Sequence, residues 1–220
     1  MSMVHGFGLG IATHNTAGET LDVFYPNPLS NIGGDLAAVV QGVSGPLDES
    51  QLAELSSNFA AVGASEQAAV ADQLKSSSGK VLATTLTDNA APETVADAYL
   101  KLHLLSHRQV KPHDTELEGV FALLPNVAWT DQGAVCLSDL AQRQLDARLR
   151  GSVLEVASVD KFPKMTNYVV PSGVRIAHTA RIRLGAYLGE GTTVMHEGFI
   201  NFNGGTEGPG MIEGRISAGV

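Results

Sequence analysis

Cysteine, aromatic rings and cationic side chains are all scarce in this chain. Cys136 is its one cysteine, which excludes an internal disulfide and points to a reducing compartment. Lys and Arg number 14 against 23 Asp and Glu, a formal charge of −9, and the basic residues form no stripe. Nucleic acid and anionic membrane are therefore disfavoured as partners, because polyanions are held mainly by Lys and Arg. No apolar run reaches the roughly 20 residues of a membrane span. The opening MSMVHGFGLGIATHN has no Lys or Arg to form the basic region of a signal peptide, so the sequence reads as a soluble cytoplasmic protein. Its 220 residues allow one or two domains and a sizeable core.

What the chain has in strength is a period of six. Ile176, Ile182, Leu188, Val194 and Ile200 follow one another at that spacing, with Gly185 and Gly191 three residues after the second and third. Neither a helix nor an ordinary strand repeats so. A parallel β-helix does: each hexad makes a short strand and a turn, the aliphatic points into the coil, and coils stack. Two β-hairpins of coincidental spacing are the competing reading. Gly191, Gly198, Gly204 and Gly205 speak against it, since they recur where coil turns are needed and not in hairpin-type Asn-Gly pairs at regular intervals.

Ahead of the hexads the pattern is mixed. Val4 to Thr13 and Leu21 to Tyr25 read as strands joined by the turn-forming HNTAGE. Gly6-x-Gly8-x-Gly10 lacks the spacing and the following helix of a nucleotide loop, and reads instead as a strand closely packed by its neighbours. Asn27 to Asp35 is expected to be a loop, and Leu36 to Val40 is ambiguous between helix and strand. Helices are expected over Asp48 to Val62, over Ser65 to Lys75 with Ser65 as N-cap, over Glu93 to Arg108 with Pro92 at its first turn, and over Ser138 to Arg150 with Leu145 and Leu149 inward. Strands are expected at Lys80 to Thr87, Asn126 to Thr130 and Ser152 to Val159. His103 and His107 stand four apart, as ligands on a helix do, but no third ligand lies near. Capping of the helix C-terminus by cations, or simple packing, accounts for them.

The run RLGAYLGEGTTVMHEGFINFNGGTEGPGMIEGRISAGV resembles the start of the left-handed β-helix of the tetrahydrodipicolinate N-succinyltransferases, in their actinobacterial and pseudomonad branch. AYLKLHLLSHRQVKP, LLPNVAWT and SVDKFPKMTNYVVPSGVRIA resemble the same family, strongly from about Ala98 onward and loosely before it. The resemblance implies an N-terminal α/β region over residues 1–170, with a split into two subdomains near 110 left open. The first coils of a left-handed parallel β-helix (hexapeptide repeat) follow over 171–220. It also implies a homotrimer that uses succinyl-CoA as co-substrate, holds no prosthetic group, and succinylates L-2-amino-6-oxopimelate, ring-opened tetrahydrodipicolinate, in lysine and diaminopimelate biosynthesis. Ser217 to Val220 stops within hexad-like sequence without a capping element. The chain is accordingly expected to be truncated, to lack much of the acyl-CoA site, and to be inactive alone.

Three residues carry the expected chemistry. GGTEGPGM interrupts the six-residue phase, so a loop is expected to lift from the coil and return just before Glu213, forming one wall of a cleft. The resemblance makes Glu213 the catalytic carboxylate, either a nucleophile forming a succinyl-glutamyl anhydride or a general base, and the sequence leaves both open. Arg215 matches a substrate-binding arginine suited to gripping a carboxylate bidentately; an ordinary exposed ion pair with Glu213 is the plainer reading. Glu197 matches one half of a magnesium site shared by three subunits, but Ala180, with His178 nearby, stands where the other half has aspartate. Symmetry could still gather three copies of Glu197 around a Mg ion, while His196 reads as a turn residue at the subunit interface. Two other functions compete: a sibling acyltransferase using acetyl-CoA, and a non-catalytic hexapeptide trimer scaffold.

Overall fold

The computed structural model describes residues 3–220. Its first sheet is assembled around β1, Val4–His14. The hairpin partner β2, Thr20–Phe24, and the short β3, Leu29–Ile32, pair antiparallel with successive halves of one edge of β1. β3 lies inside the stretch expected to be a loop; its four residues are too few for an alternation to show. Next come helix α1 (Gly34–Val40), which settles the ambiguous segment as helix, and the two-residue β4 (Gly45–Pro46). Helix α2 (Glu49–Ala61), helix α3 (Ser65–Leu74) and β5 (Lys80–Leu86) follow. β5 covers the other edge of β1, and β4 pairs with β5, so every pairing in this sheet is antiparallel.

The glycines of β1 answer to packing. A Cβ on Gly8 would lie 2.5 Å from Tyr25 Cδ1 and 3.0 Å from Leu100 Cδ1, and one on Gly10 would lie 2.8 Å from the same tyrosine atom. The strand is bare there because a buried aromatic ring lies flat against it. Leu52, Leu55 and Phe59 of α2 join Phe7, Leu9 and Val81 in a core on one face of the sheet.

The other face is covered by α4, Val95–Ser106. Every residue from Ala98 to Ser106 is buried, as expected of a helix with aliphatics on two faces. Its N-cap is Thr94, which forms a reciprocal capping box with Asp97, so Pro92 stands two residues before the N-cap and not in the first turn. The expected cationic cap fails at His103. Nδ1 donates to the Tyr99 carbonyl at 2.7 Å and Nε2 accepts the Tyr25 N–H at 3.2 Å. Both ring nitrogens are engaged, and burial holds the imidazole neutral, its pKa lowered to about 3. No lone pair remains for a metal.

Beyond a short helix α5 (Val120–Leu123), β6 (Val127–Thr130) is the middle of a second antiparallel sheet, with β7 (Gly133–Cys136) on one side and β8 (Val156–Asp160) on the other. Between β7 and β8 runs α6, Leu137–Leu149. Leu145 and Leu149 were expected inward, yet they are 51% and 77% exposed. Thr16, in the β1–β2 turn, hydrogen-bonds Asp139 through its N–H and its hydroxyl, and Ala147 is the helix residue that is buried. With Ala147 inward and Asp139 held by Thr16, the leucine stripe lies outside. Ser138 does not cap α6, nor Ser65 α3: the N-caps are Cys136 and Ala64, without side-chain bonds.

From Arg175 the chain coils. β9 (Arg175–Ile176), β11 (Thr192–Val194) and β14 (Gly210–Ile212) stack parallel on one face, Ile176 beside Val194 beside Ile212. A second face pairs β10 (Tyr187–Leu188) with β13 (Gly205–Thr206), and a third pairs β12 (Phe199–Ile200) with β15 (Arg215–Ile216), with Ile182 bridged to Ile200 below. Partners such as Ile176 and Val194 are three hexads apart, one turn of a three-sided coil. Ile182, Leu188, Val194 and Ile200 are fully buried inside it. The expected loop-out is overturned: β13 and β14 stay paired within the coil, Leu188 opposite Thr206 and Val194 opposite Ile212. The lost residues come out of the next corner, where Ile216 follows Ile212 after four positions instead of six. That corner is Glu213-Gly214.

Candidate functional site

One corner of the coil collects all the residues singled out by sequence. The turn Thr179–Arg181, the corner Met195 to Gly198 and the corner Glu213-Gly214 lie in successive layers, tied by Ala177 N–H to Val194 O (2.9 Å), Met195 N–H to Ile212 O (2.9 Å) and Phe199 N–H to Gly214 O (3.0 Å). His178, Ala180, His196, Glu197, Glu213 and Arg215 are exposed along that edge. The period of six places them there: residues between two inward aliphatics must turn a corner, and polar side chains at corners face solvent.

Within the edge the geometry sorts the candidates. The Glu213 carboxylate has no hydrogen-bond or ion-pair partner among the described residues, Arg215 included. Arg215 instead holds its guanidinium 5.9 Å from the centre of the Phe199 ring, an arrangement that leaves its N–H groups free to take a carboxylate. Glu197 is committed elsewhere, its Oε2 accepting from Arg181 Nη2 at 3.0 Å. A magnesium ion would have to displace that guanidinium and would find no oxygen at Ala180. These residues do not fit the ion. Among the described residues no group of three or more His, Cys, Asp and Glu is placed to hold a metal.

Sequence reasoning missed Arg183, the residue after an inward isoleucine. Its guanidinium bonds Asp160 Oδ2 at 2.7 Å and Asn201 Oδ1 at 3.1 Å, and lies 5.2 Å from the Phe162 ring centre. It borders a cavity of about 560 Å3 between the second sheet and the coil, whose walls include Trp129, Lys164, Ala180 and Phe199. The position after each aliphatic holds Arg183, Gly189, Met195 and Asn201, so an arginine there was visible, but its partners Asp160 and Phe162 are brought in only by the fold.

Eighteen-residue parallel turns built from hexads, set behind a mixed helix and strand region, define the class: a hexapeptide-repeat β-helix protein. A sequence profile of the middle region of tetrahydrodipicolinate N-succinyltransferase matches residues 124–164. The chain is 58% identical over 219 residues to the Pseudomonas putida 2,3,4,5-tetrahydropyridine-2,6-dicarboxylate N-succinyltransferase, covering 96% of this chain and 63% of that protein. To the Vibrio cholerae protein of the same name it is 49% identical over 221 residues, covering 97% of this chain and 64% of the relative. A Campylobacter jejuni crystal structure, described as a 2,3,4,5-tetrahydropyridine-2-carboxylate N-succinyltransferase, superposes with a TM-score of 0.87 at 25% identity, over 99% of this chain and 64% of that one. These residues therefore resemble the tetrahydrodipicolinate N-succinyltransferases along nearly their whole length, and they span somewhat less than two thirds of the length of those relatives.

Proposed function

We propose that this chain supplies the α/β region, up to about residue 170, and the first left-handed coils of a cytoplasmic homotrimeric enzyme. That enzyme moves the succinyl group of succinyl-CoA onto the amine of L-2-amino-6-oxopimelate in lysine and diaminopimelate biosynthesis. The observation that carries the reading is the 58% identity, sustained over 219 residues, to a relative named for this transfer. The unpaired Glu213 supports it, because a carboxylate without an internal partner is free for an incoming group. In one route Glu213 attacks the thioester carbonyl, CoA leaves as thiolate, and the substrate amine then opens the anhydride and restores the carboxylate. In the other, Glu213 takes a proton from the amine, which attacks the thioester directly. Arg215 grips one carboxylate of the acceptor in both. An exposed Glu213 would need a neighbouring subunit to exclude water from it, which is the reason for the trimer in this reading. The role for Glu197 is to fix the corner through Arg181, without a divalent ion.

The test is CoA-thiol release from succinyl-CoA in a chain of the relatives' full length, with L-2-aminopimelate as acceptor. Turnover is expected, with acetyl-CoA a poorer donor, and Glu213→Ala should reduce it by about 100-fold or more. Undiminished turnover in that variant would remove Glu213 from the chemistry, and absence of acceptor-dependent release would leave a scaffold. The 220 residues alone should be inactive.

A further inference from the structure

The large cavity beside Arg183 has a smaller annex. About 170 Å3 opens between β2, β6 and the turn at Tyr168, and it shares Trp129, Thr130, Gly133 and Asn167 with the larger space. At its β2 wall lies Asp22. One carboxylate oxygen, Oδ2, accepts from the Tyr168 hydroxyl. The other, Oδ1, is buried and has no partner among the described residues. A buried anionic acceptor without a donor is destabilising, so its presence asks what donor it awaits. Around it stand three aromatic rings: Phe24, Trp129 and Tyr168 line the annex with it, and the Phe24 and Tyr168 centroids lie 6.4 Å apart at 43°. Tyr168 meets the carboxylate through its hydroxyl, at the ring edge, and a carboxylate beside aromatic rings is an environment that attracts an organic cation, through charge and through any ring face the cation can reach.

We propose that this annex binds the ammonium group of a small primary amine whose body lies in the adjoining cavity. A primary ammonium is favoured over a quaternary one because Oδ1 lacks a hydrogen-bond donor, and only N–H can supply it. The adjoining space of about 560 Å3 lies within the roughly 300–1,000 Å3 range of small-molecule sites. Its walls mix the rings of Trp129, Phe162 and Phe199, which offer surface to an apolar body, with the charged Asp131, Glu155, Asp160, Lys164 and Arg183. Neither Glu213 nor Arg215 lines either space, although Arg215 lies over the Phe199 ring that borders the larger one, and the proposal does not depend on the acyl-transfer reading.

Trp129 is the only tryptophan and lines both spaces, so its fluorescence reports on occupancy. The 220-residue chain is titrated with n-butylammonium, tetramethylammonium and 1-butanol. A saturable change with n-butylammonium is expected, at least tenfold tighter than with either of the others. Asp22→Asn, which keeps an acceptor for Tyr168, should weaken n-butylammonium at least tenfold at an unchanged thermal midpoint. Phe24→Leu, which leaves Asp22 in place, should also weaken it. If Asp22→Asn does not fold, the Phe24→Leu comparison and the 1-butanol arm still decide. Equal response to 1-butanol, tighter binding of tetramethylammonium, no saturable change, or full affinity in Asp22→Asn or Phe24→Leu would each overturn the proposal.

Discussion

At the scale of single residues, the buried imidazole of His103 makes the stability of the fold depend on pH. Desolvation, the chief cause, holds its pKa at about 3 in the fold against 6.5 for an ordinary histidine, with His107 beside it as a further lowering influence. Between those values the unfolded chain binds a proton that the folded chain refuses. Stability is therefore full above about pH 6.5 and falls on acidification, by about 1.4 kcal/mol per pH unit for one such group. His5, His14 and His107 are shifted the same way, chiefly by burial, and add to the slope. Urea unfolding at pH 7.5, 6 and 5 should show a falling midpoint, and His103→Gln should flatten the dependence. An unchanged slope in that variant would mean His103 is protonated in the fold. The i, i+4 spacing of His103 and His107 was legible. Their neutrality was not, because it comes from burial by parts of the chain far off in sequence, Tyr25 just past β2 among them, whose N–H holds His103 Nε2 as an acceptor.

At the scale of elements, local chemistry could be read where a helix end makes its own bonds. Asp48 Oδ1 accepts the Gln51 N–H at 2.8 Å and Gln51 Oε1 accepts the Asp48 N–H at 2.9 Å, four consecutive residues that settle the start of α2 among themselves. Asp48→Ala should cost about 1 kcal/mol, whereas Ser65→Ala should cost only a few tenths, since Ser65 lies inside α3 and caps nothing. Chemical denaturation of the two variants checks the contrast, and equal losses would contradict it. α6 shows the opposite case. Its periodicity is sound, but the face that turns inward carries Ala147, and the contacts around the helix, Thr16 with Asp139 among them, come from residues that no window of local sequence contains. The coil was legible because each hexad repeats its own instruction. The shortened corner at Glu213 was misplaced because Thr206, polar at an inward-phase position, hid the fact that the phase runs on unbroken to Ile212.

At the scale of the whole molecule, α4 is the piece that makes one structure of two architectures. One face packs on β1 and β2; the other end seats the coil. Ser106 Oγ accepts the Gly185 N–H at 2.8 Å and donates to the Ala186 carbonyl at 3.0 Å, and Arg108 Nη2 donates to the Ser172 carbonyl at 2.7 Å. Gly185 is required there: its φ is +94°, and a Cβ would come within 2.5 Å of Leu102 Cδ2. A single hydrophobic cluster consequently runs from Leu21 and Val23 through Tyr99 and Leu102 to Leu188 and Ile200. Shared burial of this kind couples the coil's stability to that of the sheet, so the two should melt together. Ser106→Ala would leave a buried N–H and a buried carbonyl without partners, at about 1–3 kcal/mol. The expectation is a lower midpoint with Trp129 fluorescence and far-ultraviolet circular dichroism still coincident. A split between the two probes would mean that the coil and the sheet are held only by their own contacts, and that α4 joins them without coupling them.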